Sequence, residues 1–522
     1  TLSAKWLRGR IKFILDTLGD TLPDSLPQTL LTKFSLASFG DAIQTLHFPE
    51  TEDAVESARA RLAFEEFFIQ QIQSTLRKKE WEQSRALKQF VIPKKEITAF
   101  IHSLPFTLTQ GQQKVLEDIQ HDLTREIPMN RLLEGDVGSG KTIIALIGAL
   151  IAYHNQSATL VMAPTEILAR QQYESFTKLL GPLGLSIALM TGAKTKTEPK
   201  KADIVIGTHA LLHRDIETTH PIRFVVVDAQ QRFGVKQRSH LRHIGSENGA
   251  LAHFLTMTAT PIPRTIALTI YGDLDLSTID EMPVGRMRIK TWVVPPKKKT
   301  GAYEWIQKEH HQAFIVCPLI DESETLTTVH AANIEYENLK KAFPKTPIGL
   351  VHGKMKSTEK DTVLEAFRGK KLQLLVATPV IEVGIDIPAA TVIFIESAER
   401  FGLAQLPQLR GRVGRNDRQA YCLLCTESTN PQTVARLKYL ETTHSGPQLA
   451  ELDLKLRGPG SIFGVAQHGL PDLKFGTFAD MTLIQHARSA AQDILATDPT
   501  LIEFPLLRKR LESATIQHIS PD

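Results

Sequence analysis

The chain has 522 residues, of which 42% are apolar and 23% charged, with 61 Lys+Arg against 57 Asp+Glu and a formal net charge of +4. That length holds three or four domains of ordinary size, and the composition excludes a disordered or collagen-like chain. A balance this close to neutral carries no global nucleic-acid signal, so any contact with a polyanion must come from local patches.

Residues 1–100 read as helical. Within them 52–90 has few breakers and places apolar side chains at Val55, Leu62, Phe64, Phe67, Phe68, Ile72 and Leu76, predicting one long amphipathic helix that acts as a strut. From 101 the pattern changes to short β-rich runs between helices, at 131–133, 158–162, 203–206, 224–227 and 254–257. The clearest are apolar on both faces, as buried parallel strands require. Residues 101–283 are therefore expected to form an α/β lobe that binds ATP.

Pro295, Pro296 and the lysines at 297–299 mark 283–301 as a linker. A second α/β series follows at 314–316, 348–351, 374–377, 392–395 and 421–424, giving a second lobe over 284–444. From 445 to 522 the periodicity weakens and Gly and Pro rise, which predicts a small terminal element. The three cysteines, Cys317, Cys422 and Cys425, make no disulfide framework and suit a reducing, cytoplasmic compartment. Cys422 and Cys425 have no second pair with which to hold zinc and are expected to be buried. The apolar run 143–153 is too short for a bilayer, so no membrane partner is expected.

The residues Gly135-Asp-Val-Gly138-Ser-Gly140-Lys141-Thr142 form a complete G-x4-G-K-T loop between a predicted strand and a predicted helix. Gly135, Gly138 and Gly140 let backbone N–H groups turn inward around phosphates. Lys141 reaches the β and γ phosphates, Thr142 can hold Mg²⁺, and the helix that follows aims its positive end at the anion. ATP and Mg²⁺ are the expected cofactors. The apolar run from Phe224 ends in Asp228, a strand-end carboxylate placed to reach the same Mg²⁺.

Much further along, Gln408-Leu-Arg-Gly411-Arg412-Val-Gly414-Arg415 sets Arg412 and Arg415 beside two glycines. Such guanidiniums stabilise charge on a transferring phosphoryl group; a solvated basic helix is the plainer alternative. Thr258-Ala-Thr260-Pro-Ile-Pro-Arg264 closes the first lobe, either as a link from the ATP site to the other face or as a strand-to-helix turn. Basic clusters at Lys194, Lys196, Lys200 and Lys201, and at Arg286, Arg288 and 297–299, suit phosphate-backbone contact or a solvated surface equally.

Together these motifs resemble superfamily 2 helicases, and specifically the RecG family over nearly the whole chain. The resemblance extends to Leu104-Pro-Phe-Thr-Leu-Thr-Gln-Gly-Gln112, Val380-Ile-Glu-Val-Gly-Ile-Asp386 and Glu451-Leu-Asp-Leu-Lys-Leu-Arg-Gly-Pro-Gly460. It implies an α/β fold of two RecA-like parallel-sheet lobes, with a helical N-terminal segment and a small C-terminal hook that couples lobe motion to movement along duplex DNA. It also implies that Gln112 reads the adenine edge with Phe106 packed near it. Lys141, Thr142 and Asp228 would serve phosphate and Mg²⁺. Gly384 and Asp386, with Arg412 and Arg415 of the Gln408 motif, would complete the site from the second lobe. The implied activity is that of an ATP-dependent DNA helicase or translocase, a monomeric motor acting on duplex and branched DNA in recombination and repair.

Three departures from the family pattern stand out. The family's D-E-Q-H is here Asp228-Ala229-Gln230-Gln231, its G-T-R-Q-S-G is Gly464-Val-Ala466-Gln-His-Gly469, and its oligonucleotide-binding wedge is expected to be missing ahead of the long helix. The first is a chemical problem, because a positioned general base contributes about 10²–10⁴-fold to such a step. Alanine has no acceptor, whereas phosphate and Mg²⁺ binding do not need that carboxylate. Turnover is expected to fall while affinity survives, and the alternative function is an ATP-gated DNA-binding pseudo-motor without significant turnover.

Overall fold

The structure, a computed structural model, describes residues 3–18, 21–192, 195–196, 201–212, 216–228, 246–247, 250–259, 267, 272–281, 287–318, 325–379, 387–403, 405–414, 418–443, 445–457, 473–477 and 480–517. The chain opens with α1 (Ala4–Leu18), α2 (Gln28–Lys33), α3 (Phe39–His47) and the 32-residue α4 (Glu52–Gln83). Thr51 caps α4, its side chain accepting from Ala54 N. The predicted helix 52–90 stops short, at Gln83. Ser84 is extended, Arg85–Ala86 (β1) joins a small sheet, and Phe90 is buried in the core of the next lobe. The residues after 83 are apolar enough to continue a helix, but strand pairing and lobe packing claim them instead.

One face of α4 buries Phe64, Phe67, Phe68 and Ile72 against Ile484, Ala487, Ala491 and Ile494 of helix Met481–Thr497 and Leu507 of helix Pro505–Gln517. The two ends of the chain thus share a core. Beyond 445, where the sequence periodicity weakens, the described residues form the helices Gly446–Arg457, Met481–Thr497 and Pro505–Gln517. Alanines supply much of the buried face of the second, which lets it pack closely on α4 but mutes the apolar signal. Arg61 of α4 is fully buried; it pairs with Asp24, bonds Glu65 at 2.9 Å and donates from Nε to Ala37 O at 3.0 Å. A buried guanidinium satisfied on every side fixes α4 to the loop before α3.

The first lobe contains α5 (Lys94–Ser103), α6 (Gln110–Leu123), β2 (Asn130–Gly135), α7 (Lys141–His154), β3 (Ala158–Met162), α8 (Glu166–Leu180), β4 (Ile187–Met190), β5 (Thr195–Lys196), β6 (Ile204–Gly207), β7 (Ile222–Asp228), β8 (Ser246–Glu247), β9 (Ala250–Leu251), β10 (His253–Thr258) and β11 (Asp275–Ile279). Its eight-stranded sheet runs β11-β2-β10-β7-β3-β6-β4-β5, parallel except for the β4–β5 pair. β1, β9 and β8 make the small separate sheet. The strands are buried almost throughout, and α7 is apolar on every face because it lies between the sheet and the outer helices.

The second lobe has six parallel strands, β12 (Lys290–Val294), β13 (Ala313–Val316), β14 (Ile348–Val351), β15 (Leu374–Ala377), β16 (Val392–Ile395) and β17 (Tyr421–Cys425), in the order β12-β17-β16-β13-β15-β14. The predicted linker 283–301 is therefore corrected in part, because Lys290–Val294 is the edge strand β12. Its lysine, its exposed Trp292 and the prolines after it disguised it as a connection. All three cysteines are free and buried. Among the described residues no helix is long and apolar enough to cross a membrane.

Candidate nucleotide site between the two lobes

β2 delivers the chain to the glycine-rich loop at the carboxyl end of the first sheet, and α7 leads away from it. Gly138 and Gly140 have φ of +85° and +89°, a region where a side chain is strained. A Cβ on Gly135 would lie 2.5 Å from Ser139 Oγ and 3.2 Å from Ile279 O. The loop is thus built for close backbone approach. Ser139 Oγ is buried with no hydrogen-bond partner. Thr142 is half-buried at the second residue of α7.

Lys141 Nζ donates to Gly135 O at 2.6 Å and to Asp136 O at 2.9 Å. Burial pushes the ammonium down to about 8; Asp228 and Asp136 oppose this, and Arg412 of the second lobe adds to it. Asp228 ends β7, separated from β2 by β10, and accepts a hydrogen bond from the buried Gln172 of α8. An inward lysine ready to take up negative charge, left-handed glycines and an orphaned hydroxyl fit a nucleotide's phosphates. Among the described residues no group of three or more His, Cys, Asp or Glu could hold a metal. Mg²⁺ carried on phosphates needs only one or two protein ligands, a requirement that Thr142 and Asp228 fit.

Thr109 and Gln112 form a capping box at the start of α6. Gln112 Oε1 accepts from Thr109 N at 2.9 Å, and its Nε2 donates to Ser139 O at 2.8 Å, tying α6 to the phosphate loop. Phe106 is 43% exposed on the approach to that helix.

The second lobe brings the short helix Leu406–Arg410, with Gln408 buried, up to the same loop. Arg410 donates to Leu440 O at 3.1 Å and Thr443 O at 3.2 Å, which fixes the backbone just before Gly411. A Cβ on Gly411 would stand 2.8 Å from Val137 Cβ, so the two lobes are in contact here. Arg412 follows, half-buried. Gly414 has φ of +73° and packs against Ile289 and Ala420. The structure thus brings together Gly135, Gly138, Gly140, Lys141, Thr142, Asp228, Gln112 and Arg412. Gly384, Asp386 and Arg415 lie outside the described residues, as do Ala229, Gln230, Gln231, Thr260, Arg264 and Ala466.

Sequence reasoning missed three contributors. Gln172 is one of many polar residues on a helix, Arg410 sits beside the motif arginines, and Asp136 is a position that the G-x4-G-K-T pattern leaves unspecified. Asp136 Oδ2 accepts from Gly446 N at 3.1 Å, across the lobe boundary. No local pattern in the sequence marks such a contact.

Two parallel-sheet lobes meeting over a glycine-rich phosphate loop define a two-lobed, RecA-like helicase core. Residues 109–269 match the family profile of the DEAD/DEAH box helicases, and 297–417 that of the helicase conserved C-terminal domain. Residues 443–520 match the profile described as ATP-dependent DNA helicase RecG, domain 3, C-terminal. The ATP-dependent DNA helicase RecG of Synechocystis is 42% identical over 499 residues, covering 93% of this chain and 59% of that protein. That of Bacillus subtilis is 40% identical over 512 residues, covering 95% and 74%. The structure of RecG bound to a three-way DNA junction superposes with a TM-score of 0.74 at 38% identity, over 95% of this chain and 64% of that one. Yeast Dbp5 bound to RNA and ADP–BeF3 shares the fold alone, at 17% identity and a TM-score of 0.51.

The chain belongs to the RecG family of ATP-dependent DNA helicases within superfamily 2. It spans under two thirds of the length of the Synechocystis protein and of the junction-bound RecG.

Proposed function

We propose that this chain is an ATP-dependent translocase on duplex and branched DNA, working as a monomer in the cytoplasm, with a hydrolysis step slowed by Ala229. The observation that carries the reading is the meeting of the two lobes at the phosphate loop, where Gly411, next to Arg412, stands against Val137 close to Lys141. Residues from both sheets meet at one loop, the arrangement needed if nucleotide is to govern lobe closure. The division into a helical segment 1–100, lobes 101–283 and 284–444 and a coupling element 445–522 belongs to the same proposal.

Lys141 and the loop amides would hold the β and γ phosphates. Thr142 and Asp228 would hold Mg²⁺, which supplies charge neutralisation when bound. Arg412 and Arg415, positioned by Gln408 and the glycines around them, would face the charge that develops on the γ-phosphoryl group. Phe106 and Gln112 would flank the adenine, and Gly384 and Asp386 would close the site from the second lobe. What the chain lacks is an acceptor at 229 to orient and deprotonate the attacking water. The junction-bound relative supports branched DNA as the substrate class.

The alanine itself favours a second reading. With binding residues intact and the base missing, the chain could be a nucleotide-gated clamp on DNA that scarcely turns over. Both readings require DNA binding. Titrating a fluorescent three-way junction at two salt concentrations tests this: binding should weaken steeply with salt and depend little on sequence. No binding at low salt would overturn both.

A further inference from the structure

Asp136 lies inside the phosphate loop, yet its side chain does not face a phosphate site alone. Its carboxylate accepts the backbone N–H of Gly446 at 3.1 Å. Gly446 is the first residue of helix Gly446–Arg457, about 18 Å long at 1.5 Å per residue. The exposed donors of a helix start favour an anion, and here lobe 1 provides it across the boundary.

That helix belongs to the coupling element and packs into the core of the second lobe. Leu449 is buried in the lobe 2 core. Two turns from Gly446, buried Asp453 accepts from Leu403 N at 2.9 Å and stands 3.9 Å from Arg436 Nη1. A shift at the helix tip is therefore carried into lobe 2 rather than absorbed.

The other end of the contact is equally constrained. Lys141 Nζ donates to the carbonyls of Gly135 and Asp136 at 2.6 and 2.9 Å. A bound triphosphate draws on the same ammonium, so filling the loop releases the backbone of the residue whose side chain holds Gly446. At 3.1 Å that bond is near the long end of its range, and a displacement of about half an ångström breaks it.

We propose that Asp136 is a positioning residue that reports occupancy of the phosphate loop to helix Gly446–Arg457, and through it to the grip of the second lobe on DNA. The inference rests on the nucleotide and DNA binding proposed above, and it does not depend on hydrolysis. It assigns a role to a loop position that phosphate chemistry leaves unassigned.

The test is a linkage measurement. Affinity for a fluorescent three-way junction is measured with and without saturating Mg·AMP-PNP, and the two values are compared as a ratio. Gly446→Pro removes the N–H donor at the first residue of the helix and leaves the phosphate loop untouched; the strain of a proline placed ahead of Pro447 is checked by the melts. Gly446→Ala keeps the donor, and Asp136→Ala removes the acceptor from the other side. The expected ratio is about tenfold for the wild type and Gly446→Ala, and under about twofold for Gly446→Pro and Asp136→Ala. Thermal melts of all four establish that the comparison is between folded proteins, and either of the two disabling variants suffices if the other fails to fold. A full ratio in a folded Gly446→Pro or Asp136→Ala overturns the proposal. A wild type that binds both ligands with a ratio of one also overturns it. A wild type that binds neither overturns the functional reading instead.

Discussion

Gly411 stands so close to Val137 that a Cβ added to it would lie 2.8 Å from the valine Cβ and 3.2 Å from its Cγ1. One residue belongs to the arginine motif of the second lobe and the other to the phosphate loop of the first. A methyl group there has no room unless the lobes part. Overpacking of this kind costs about 1–3 kcal/mol. Gly411→Ala should therefore reduce the closed population of the two lobes by about tenfold, read by energy transfer between labels on the lobes with nucleotide and DNA bound. A closed fraction equal to that of the wild type would mean the contact does not limit closure.

Lys141 gives nucleotide binding a pH dependence. Burial lowers its pKa from 10.5 to about 8 in the free protein, and a phosphate partner raises it again. Binding above pH about 8 must then take up a proton, and affinity should fall by up to tenfold per pH unit above that point. For the unliganded fold the sign is opposite. Between about 8 and 10.5 the unfolded chain holds the proton more tightly, so this group adds stability as pH rises through that window. Calorimetry in buffers of different ionisation enthalpy should find uptake of about half a proton at pH 8, the group's midpoint. Lys141→Ala should lose most of the affinity at every pH. A flat profile, or equal affinity in that variant, would remove the lysine from the site.

The shared core of the two chain ends makes a stability prediction. Phe64 is fully buried on α4 against the C-terminal helices. Phe64→Ala should cost about 3–5 kcal/mol in urea unfolding and release helix Met481–Thr497 to protease. A loss under about 1 kcal/mol would mean the ends are held together elsewhere.

Much of this was legible in the sequence. The runs at 158–162, 348–351, 374–377 and 392–395 are strands as predicted, because continuous β-branched and aliphatic stretches have few other uses in an α/β lobe. The phosphate loop was readable because its glycines are demanded by backbone geometry that no other residue supplies. The strands Asp275–Ile279 and Lys290–Val294 were not readable, since edge strands are half-wet and carry polar residues. The end of α4 at Gln83 was hidden because the pairing of Arg85–Ala86 is with residues some 165 positions later. The Asp136–Gly446 bond, whose partners stand 310 positions apart, is a tertiary fact with no local signature.

The central claim is that the site binds nucleotide well but lacks the acceptor at 229. It is tested most directly by steady-state phosphate release, with and without a three-way junction, on the wild type and Ala229→Glu. The account predicts slow release from the wild type and a gain of roughly 10²-fold or more in the variant, stimulated further by the junction. A wild type that already turns over at roughly 1–10 per second, or an Ala229→Glu no faster than it, would contradict the account.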